Sequence, residues 1–409
     1  MKQTAWMMAL AGLVYAGAAH AQFDPVLLEQ AQKAKAPLIE GLGQLVNIDS
    51  GTGDAAGLSQ IEAILAQRLK ELGAEVAFQP SPPAVGQTIV GTLRGNGTKN
   101  ILLVIHYDTV FGKGEAAKRP FKVAGNKAYG PGVADAKGGA LIILHALDIL
   151  RERQFKGYGT LTVVFNPDEE KSSLGSRAII QQIASQHDYA LVFEPPETER
   201  VTVGANGIAY VHLDVKGRAS HAGSAPEAGR NAAMELAHQL LQLKDLGSPE
   251  KGTTVNWTVV QAGSVVNIIP EKASATADMR LSDPTEIARV QADADRIVQN
   301  RLIPETTATV VVENRRPPFN KNGATDALAA MADSIYGELG KRMSAAVMRY
   351  STDASSAYNP KLPAKPAVLD GMGIVGDRIH SVDEWADLDS IVPRLYLTVR
   401  MIETMAAAK

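Results

Sequence analysis

Three apolar runs, each closing on an acid or a histidine, constrain this chain more than any other feature. "NILLVIHYDTV" closes on His106 and Asp108, "GTLTVVFNPDEE" on Asp168, Glu169 and Glu170, and "YALVFEP" on Glu194. Runs this continuous, without polar alternation, read as strands covered on both faces. Between and before them lie stretches with apolar residues at helical spacing: "AAGLSQIEAILAQRLKELGAEV" with its stop at Gly73, "GGALIILHALDILRER" after a Gly-rich turn, and "LGSRAIIQQIASQ". Strands alternating with helices predict an α/β fold, a mostly parallel mixed sheet with helices on both faces. In such sheets ligands sit beyond the carboxyl ends of the strands, which is where the acids and the histidine fall.

The grammar changes between 206 and 316. "GIAYVHLDVKG" alternates as a half-buried strand, "GRNAAMELAHQLLQL" is helical, "TTVNWTVVQAG" and "KASATADMRLS" are strands, "PTEIARVQADADRIVQNRL" is a helix and "TATVVVEN" a last strand. That is β-α-β-β-α-β, the ferredoxin-like order. The expected organisation is a catalytic domain over 22–205, an inserted α+β lid or dimerisation domain over 206–316, and the rest of the catalytic domain over 317–409. It ends in an amphipathic helix within "DLDSIVPRLYLTVRMIETMA".

Composition narrows the function. A net charge of −3 offers no basic field for nucleic acid. With no cysteine there is no disulfide, thiol nucleophile or cysteine-ligated zinc. Residues 1–21 read as a secretory signal: Lys2, then the apolar "AWMMALAGLVYAGAA", then Ala19-His20-Ala21 as a small-x-small cleavage site. The apolar run is short for a membrane span, so the expectation is a secreted or periplasmic protein with no membrane partner, beginning at Gln22 after cleavage. No P-loop or G-x-S-x-G elbow occurs, which disfavours nucleotide and serine-hydrolase chemistry.

The strand ends carry the chemistry. His106, Glu169, Glu170 and Glu194, with Asp135 from the Gly-rich "YGPGVADAKGG", converge on one sheet edge. So many carboxylates repel unless cations or protons are bound. Zinc accepts histidine nitrogen and carboxylate oxygen, and a pair of ions about 3.5–4 Å apart shares a bridging ligand. Asp135 is the bridging candidate. Glu170 and Glu194 serve one metal each, His106 supplies one imidazole, and His380 in "GDRIHSVDEW" supplies the second. Glu169 is then left free as general base on a water made acidic by the metals. Asp108, two residues after His106, faces the same side of the strand and can orient that ring.

Taken together, "HYDTV", "GPGVADAKGG", "DEEKSSLGS", "FEP", "GRASHAG" and the late "GDRIH" resemble the co-catalytic zinc metallopeptidases that include glutamate carboxypeptidase, acetylornithine deacetylase and aminoacylase. "NGIAY", "NIIP", "ADMR", "RRPPFN" and "PRLYL" place it nearest the exported bacterial glutamate carboxypeptidases. The resemblance implies two zinc ions bridged by Asp135, one completed by His106 and Glu194 and the other by Glu170 and His380, with Glu169 as base. It implies a cis bond between Asp135 and Ala136, and a homodimer through the inserted domain in which His221 crosses to polarise the partner's scissile carbonyl. Asn267, Arg280 and Arg316 match positions that handle substrate carboxylates or the dimer. Arg200 and Thr202 stand where the glutamate enzymes have Lys and Ser. The implied reaction is hydrolysis of the amide bond to a C-terminal amino acid, chiefly glutamate, in folate-type or acyl substrates. One departure is "RYSTDAS": Thr352 and Asp353 remain, but Tyr350 and Ser351 replace the glycines of the family's "GGTDA" loop. An aminoacylase or dipeptidase is therefore the nearer alternative, and a non-catalytic binding protein of the same fold the distant one.

Overall fold

The computed structural model describes residues 23–362 and 364–408; the signal-peptide expectation lies outside these residues. The chain opens with α1 (Pro25–Val46) and α2 (Ala55–Glu71), then strands β1 (Glu75–Pro80), β2 (Gln87–Arg94) and β3 (Asn100–His106). Helix α3 (Lys137–Glu152), β4 (Thr160–Asn166), α4 (Arg177–Ala184) and β5 (Tyr189–Val192) follow. Next come β6 (Gly207–Lys216), α5 (Ala232–Gln242), β7 (Thr254–Ala262), β8 (Lys272–Leu281), α6 (Glu286–Ile297) and β9 (Thr307–Arg316). The chain returns through α7 (Gly323–Glu338), β10 (Ala367–Leu369) and α8 (Ile391–Ala406).

The main sheet has the order β1-β2-β4-β3-β5-β10. The pairs β1/β2 and β2/β4 are antiparallel, and β4/β3, β3/β5 and β5/β10 are parallel. The continuous apolar run of β3 is explained by its two covered faces. Ile101, Leu103 and Ile105 join the core that holds residues of α1, α2, α3 and α8. Leu102 and Val104 face the other way, into a core with Ile180 and Ala184 of α4. Full burial of each such side chain is worth about 1.5–3 kcal/mol, which fixes β3 and hence the position of His106. Helix α8, expected to be amphipathic, is enclosed nearly all round; even Arg394 is buried, its guanidinium donating to the Gly371 carbonyl at 2.7 Å and to Glu199 at 3.1 Å. His187 is likewise buried, between the Ile183 carbonyl at 2.7 Å and Thr162 Oγ1 at 2.9 Å.

The second sheet runs β7-β8-β6-β9 with every pair antiparallel, the ferredoxin-like arrangement. Alternation along β6 puts Ala209, Val211, Leu213 and Val215 into a separate core with Leu236 of α5 and Val290 of α6. Strand β7 is the sheet edge and bears exposed Val259 and Val260. Among the described residues no helix is long and apolar enough to cross a membrane.

Candidate metal centre

Each strand end places its side chain through a local constraint. His106 is wholly buried; its Nδ1 lies 3.0 Å from the Asp108 main-chain oxygen and 3.2 Å from Asp108 Oδ1, which turns Nε2 toward Asp135 Oδ1 at 3.1 Å and Glu194 Oε2 at 3.7 Å. The Asp108 carboxylate also accepts from the amides of Glu169 (3.1 Å) and Glu170 (3.3 Å) and from Thr52 Oγ1 (2.8 Å). It therefore ties the ends of β3 and β4 together as well as orienting the histidine. Asp135 precedes α3, and its bond to Ala136 is cis. Gly139 lets the start of α3 close on the end of β5: a Cβ there would stand 2.2 Å from the Phe193 carbonyl oxygen. That approach brings Asp135 beside Glu194. On the far side His380 Nε2 lies 3.1 Å from Asp135 Oδ2 and 3.1 Å from Glu170 Oε2.

Two ligand sets result, His106–Asp135–Glu194 and Asp135–Glu170–His380, each with its ligand atoms within 4.8 Å of one another and both using Asp135. Within the protein alone, protons and hydrogen bonds balance this charge. Burial pushes Glu194 well above the usual carboxylate range and Glu170 up to about 8, Asp135 adding to both. Hydrogen bonds to Asp135 and Glu170 raise His380 to about 11. Burial opposes protonation of His106, but Glu194, Asp108 and Asp135 outweigh it and raise that imidazole well above its ordinary value. Burial would likewise raise Asp135, yet the two histidines hold it low. Glu170 Oε1 and Glu194 Oε1 are buried without any hydrogen-bond partner. Buried carboxylate oxygens without donors, next to two imidazole nitrogens, suit a cation.

Glu169 belongs to neither set. Its Oε1 accepts from Arg316 Nη1 at 2.6 Å, and Arg316 Nη2 donates to the Glu169 carbonyl at 2.7 Å and to Ser173 Oγ at 3.0 Å. Behind the arginine, Asp353 accepts from Ser173 Oγ at 2.5 Å and from Asn166 Nδ2 at 2.7 Å. Burial raises the Glu169 pKa, and Arg316 works against that rise. Arg316, expected to meet a substrate carboxylate, is 1% exposed and paired with Glu169 instead. Thr352, also expected to contact substrate, is buried with its hydroxyl on Asp370 at 2.7 Å. Arg200 is half-buried near Glu197, 3.2 Å away. Arg280 forks onto Asp278 at 2.8 and 3.0 Å in the inserted domain. His221 lies on a short, partly exposed strand pair, Ser220–His221 against Ile268–Ile269, with Asn267 just before the second strand, and His221 Nδ1 accepts from the amides of Gly223 and Ser224. None of them reaches the metal ligands, so this chain by itself does not bring His221 to the site.

Asp353 and Glu384 were missed as site residues. Asp353 lies in the "RYSTDAS" loop and Glu384 four residues after His380, and neither ends an apolar run as His106, Glu170 and Glu194 do.

A two-domain α/β scaffold with two carboxylate–imidazole sets at its strand ends, and a spare buried carboxylate beside them, defines a metal-dependent hydrolase. Residues 102–404 match the profile of Peptidase family M20/M25/M40. The chain is 40% identical over 412 residues to carboxypeptidase G2 of Pseudomonas sp. (strain RS-16), covering 100% of this chain and 99% of that protein. It is 27% identical to the acetylornithine deacetylase of Proteus mirabilis over 85% of this chain and 90% of that one. A tripeptidase structure from Staphylococcus aureus aligns with a TM-score of 0.76 at 22% identity, over 91% of this chain and 99% of that one. The protein belongs to peptidase family M20/M25/M40.

Proposed function

We propose that this protein is a metallo-carboxypeptidase that cleaves the amide bond to a C-terminal amino acid, glutamate foremost, in folate-type or other acyl substrates. The observation that carries the reading is the pair of ligand sets sharing Asp135 with Glu169 left over beside them. Likeness to carboxypeptidase G2 over the full length supports the carboxypeptidase assignment. His106, Asp135 and Glu194 would hold one ion and Asp135, Glu170 and His380 a second, with zinc favoured by this nitrogen and oxygen donor set. Such ions, when bound, polarise the scissile carbonyl and lower the pKa of a water. Glu169 takes a proton from the attacking water as the new C–O bond forms and then returns it to the leaving nitrogen, whose C–N bond breaks. Arg316 holds the base at one oxygen and leaves the other for proton transfer.

A cleft of about 390 Å³ adjoins the site, lined by Thr52, Thr109, Val110, Phe111, Lys113 and Lys171, and offers room for a bulky acyl portion. The narrower alternative, an aminoacylase or dipeptidase, is favoured by one observation. Tyr350 packs, partly buried, against the core that holds Phe319 and Tyr358, so a ring stands where the related loop has glycine. The reading includes a homodimer, supported by the exposed β7 edge and by the distance of His221's contacts from its own centre, and export with cleavage after Ala21.

The test is metal content and release of amino acids from acyl-Glu, acyl-Asp, acyl-Ala and acyl-Arg, beside Glu169→Gln. The expected result is two zinc ions per chain, preferential glutamate release, and a variant that keeps its metal and loses about 10²–10⁴ in kcat. Preference for a neutral or basic residue would sink the glutamate assignment.

A further inference from the structure

Glu384 is completely buried, yet it is neither a metal ligand nor part of an ion pair. Its carboxylate faces backbone amides only. Oε2 accepts from Gly132 N at 2.9 Å, and Oε1 accepts from Ala134 N at 2.9 Å and Asp135 N at 3.0 Å. Three donors converging on both side-chain oxygens call for acceptors at each, which a carboxylate supplies and an amide, with a single oxygen, does not. On the other side of the same loop, buried Lys137 donates to the Pro131 carbonyl at 3.3 Å and to the Ile48 carbonyl at 2.9 Å. The loop that presents Asp135 is thus gripped at its amides by the Glu384 side chain and at a carbonyl by Lys137.

Glu384 belongs to the turn that presents His380. That turn holds Arg378 at φ 57° and His380 at φ 60°, two non-glycine residues in the left-handed region, a conformation kept only when the surroundings impose it. The His380 side chain is about half exposed and touches only Asp135 and Glu170 among charged groups, so little packing steadies its ring. Arg119 Nη1 holds the turn from outside at the Val382 carbonyl, 3.2 Å away, and the rest of its support is at its base. Trp385 and Ala386 pair with Asp377 and Gly376 and also with Tyr129 and Ala128, the strand leading into the Asp135 loop. The Glu384 carboxylate links the two loops at that junction through three hydrogen bonds.

We propose that Glu384 is a positioning residue for the metal pair: by locking the His380 turn to the Asp135 loop, it sets the spacing of the two ligands that share one ion. This rests on the reading of the centre as a two-metal site. The ion held by Asp135, Glu170 and His380 depends on that lock. The ion held by His106, Asp135 and Glu194 draws two of its ligands from the ends of β3 and β5, which the main-sheet core fixes independently.

The experiment is a competition titration of the metal-free full-length protein with Zn²⁺ and with Co²⁺ against a chelating dye, for wild type and Glu384→Gln. The Co²⁺ absorption bands and the thermal midpoint of the metal-free forms are recorded alongside. Wild type is expected to bind two ions. Glu384→Gln is expected to weaken one of them about 10- to 100-fold, leave the other within a few-fold, and lose the part of the Co²⁺ spectrum that belongs to the weakened site. Should Glu384→Gln not fold, Glu384→Asp, which keeps the charge but shortens its reach, is read in the same assay with the same expectation. Wild-type affinity at both ions, or an equal loss at both, in a folded variant overturns the inference. A wild type that binds no pair of ions overturns the two-metal reading itself, and the inference with it.

Discussion

At the scale of single residues, Arg316 carries the sharpest prediction. Matching motifs assigned it to a substrate carboxylate, whereas the fold buries it against Glu169 with two donors committed there. The two roles differ in kinetics. A residue that binds substrate uniformly changes KM, and one that holds the base changes kcat. Arg316→Lys keeps the charge but loses the fork, so kcat is expected to fall about ten- to a hundredfold, the worth of one charged hydrogen bond, with KM little changed. A rise in KM at constant kcat would return Arg316 to the substrate. Arg316→Ala is expected to cost stability as well, about 3–5 kcal/mol, because Glu169 would be left buried and unpaired among other acids; denaturant midpoints would record it. Most of the candidate ligands were legible in the sequence because His106, Glu170 and Glu194 end apolar runs and Asp135 sits in a Gly-rich turn, whereas His380 was marked only by the resemblance. The partner of Glu169 was not: Arg316 is 147 positions away and nothing local marks the pair.

At the scale of elements, the first helix is held by its cap. Asp24 accepts from Leu27 N at 2.9 Å and from Arg153 Nη2 at 2.7 Å, and Arg153 Nε reaches Glu403 of α8 at 3.0 Å. One arginine at the end of α3 thus joins the start of α1 to α8. Burial tends to raise the Asp24 pKa, but the Leu27 amide and Arg153 outweigh it and hold it below 3.8. A carboxyl depressed in the folded state contributes stability that is present above its unfolded pKa and is lost as pH falls through the folded value. Asp24→Ala is therefore expected to cost about 1–2 kcal/mol near pH 7, and the gap from wild type should narrow below about pH 4. Parallel unfolding curves at pH 7 and pH 3 check this; a gap that persists undiminished at pH 3 contradicts it. Helix existence was readable from periodicity, but the near-complete enclosure of α8 was not, because it follows from α1 and α3 packing on either side.

At the scale of the whole molecule, the centre draws ligands from both halves of a catalytic domain that the insertion interrupts, since His380 lies beyond β9. Bound ions therefore stabilise the assembled fold and not any one segment. An ion present at a hundred times its dissociation constant adds about 2.7 kcal/mol. Removing the metals with a chelator is expected to abolish turnover and lower the thermal midpoint by several degrees, and returning zinc should restore both. An unchanged midpoint would mean that the sites hold no tightly bound ion. The exposed placement of His221 makes a second prediction. In a symmetric dimer with His221 acting across the interface, mixing Glu169→Gln and His221→Ala subunits creates one complete site per mixed dimer, so an equal mixture should recover about a quarter of wild-type activity. No recovery would place His221 in its own subunit's chemistry or outside the reaction.

Hydrophobic patterning alone determined the two sheets, the helices between them and the strand ends at which the ligands gather. Burial is a local property of a residue type, and its period along the chain reports the element and the face. Which group each acid faces depended on neighbours between 147 and 252 positions away. Glu169, Glu170 and Glu384 are the same residue in the sequence. In the folded protein one faces an arginine, one a histidine and one three backbone amides, and these surroundings separate their roles. Electrostatic environment is a property of three-dimensional packing, so only the tertiary structure could decide it.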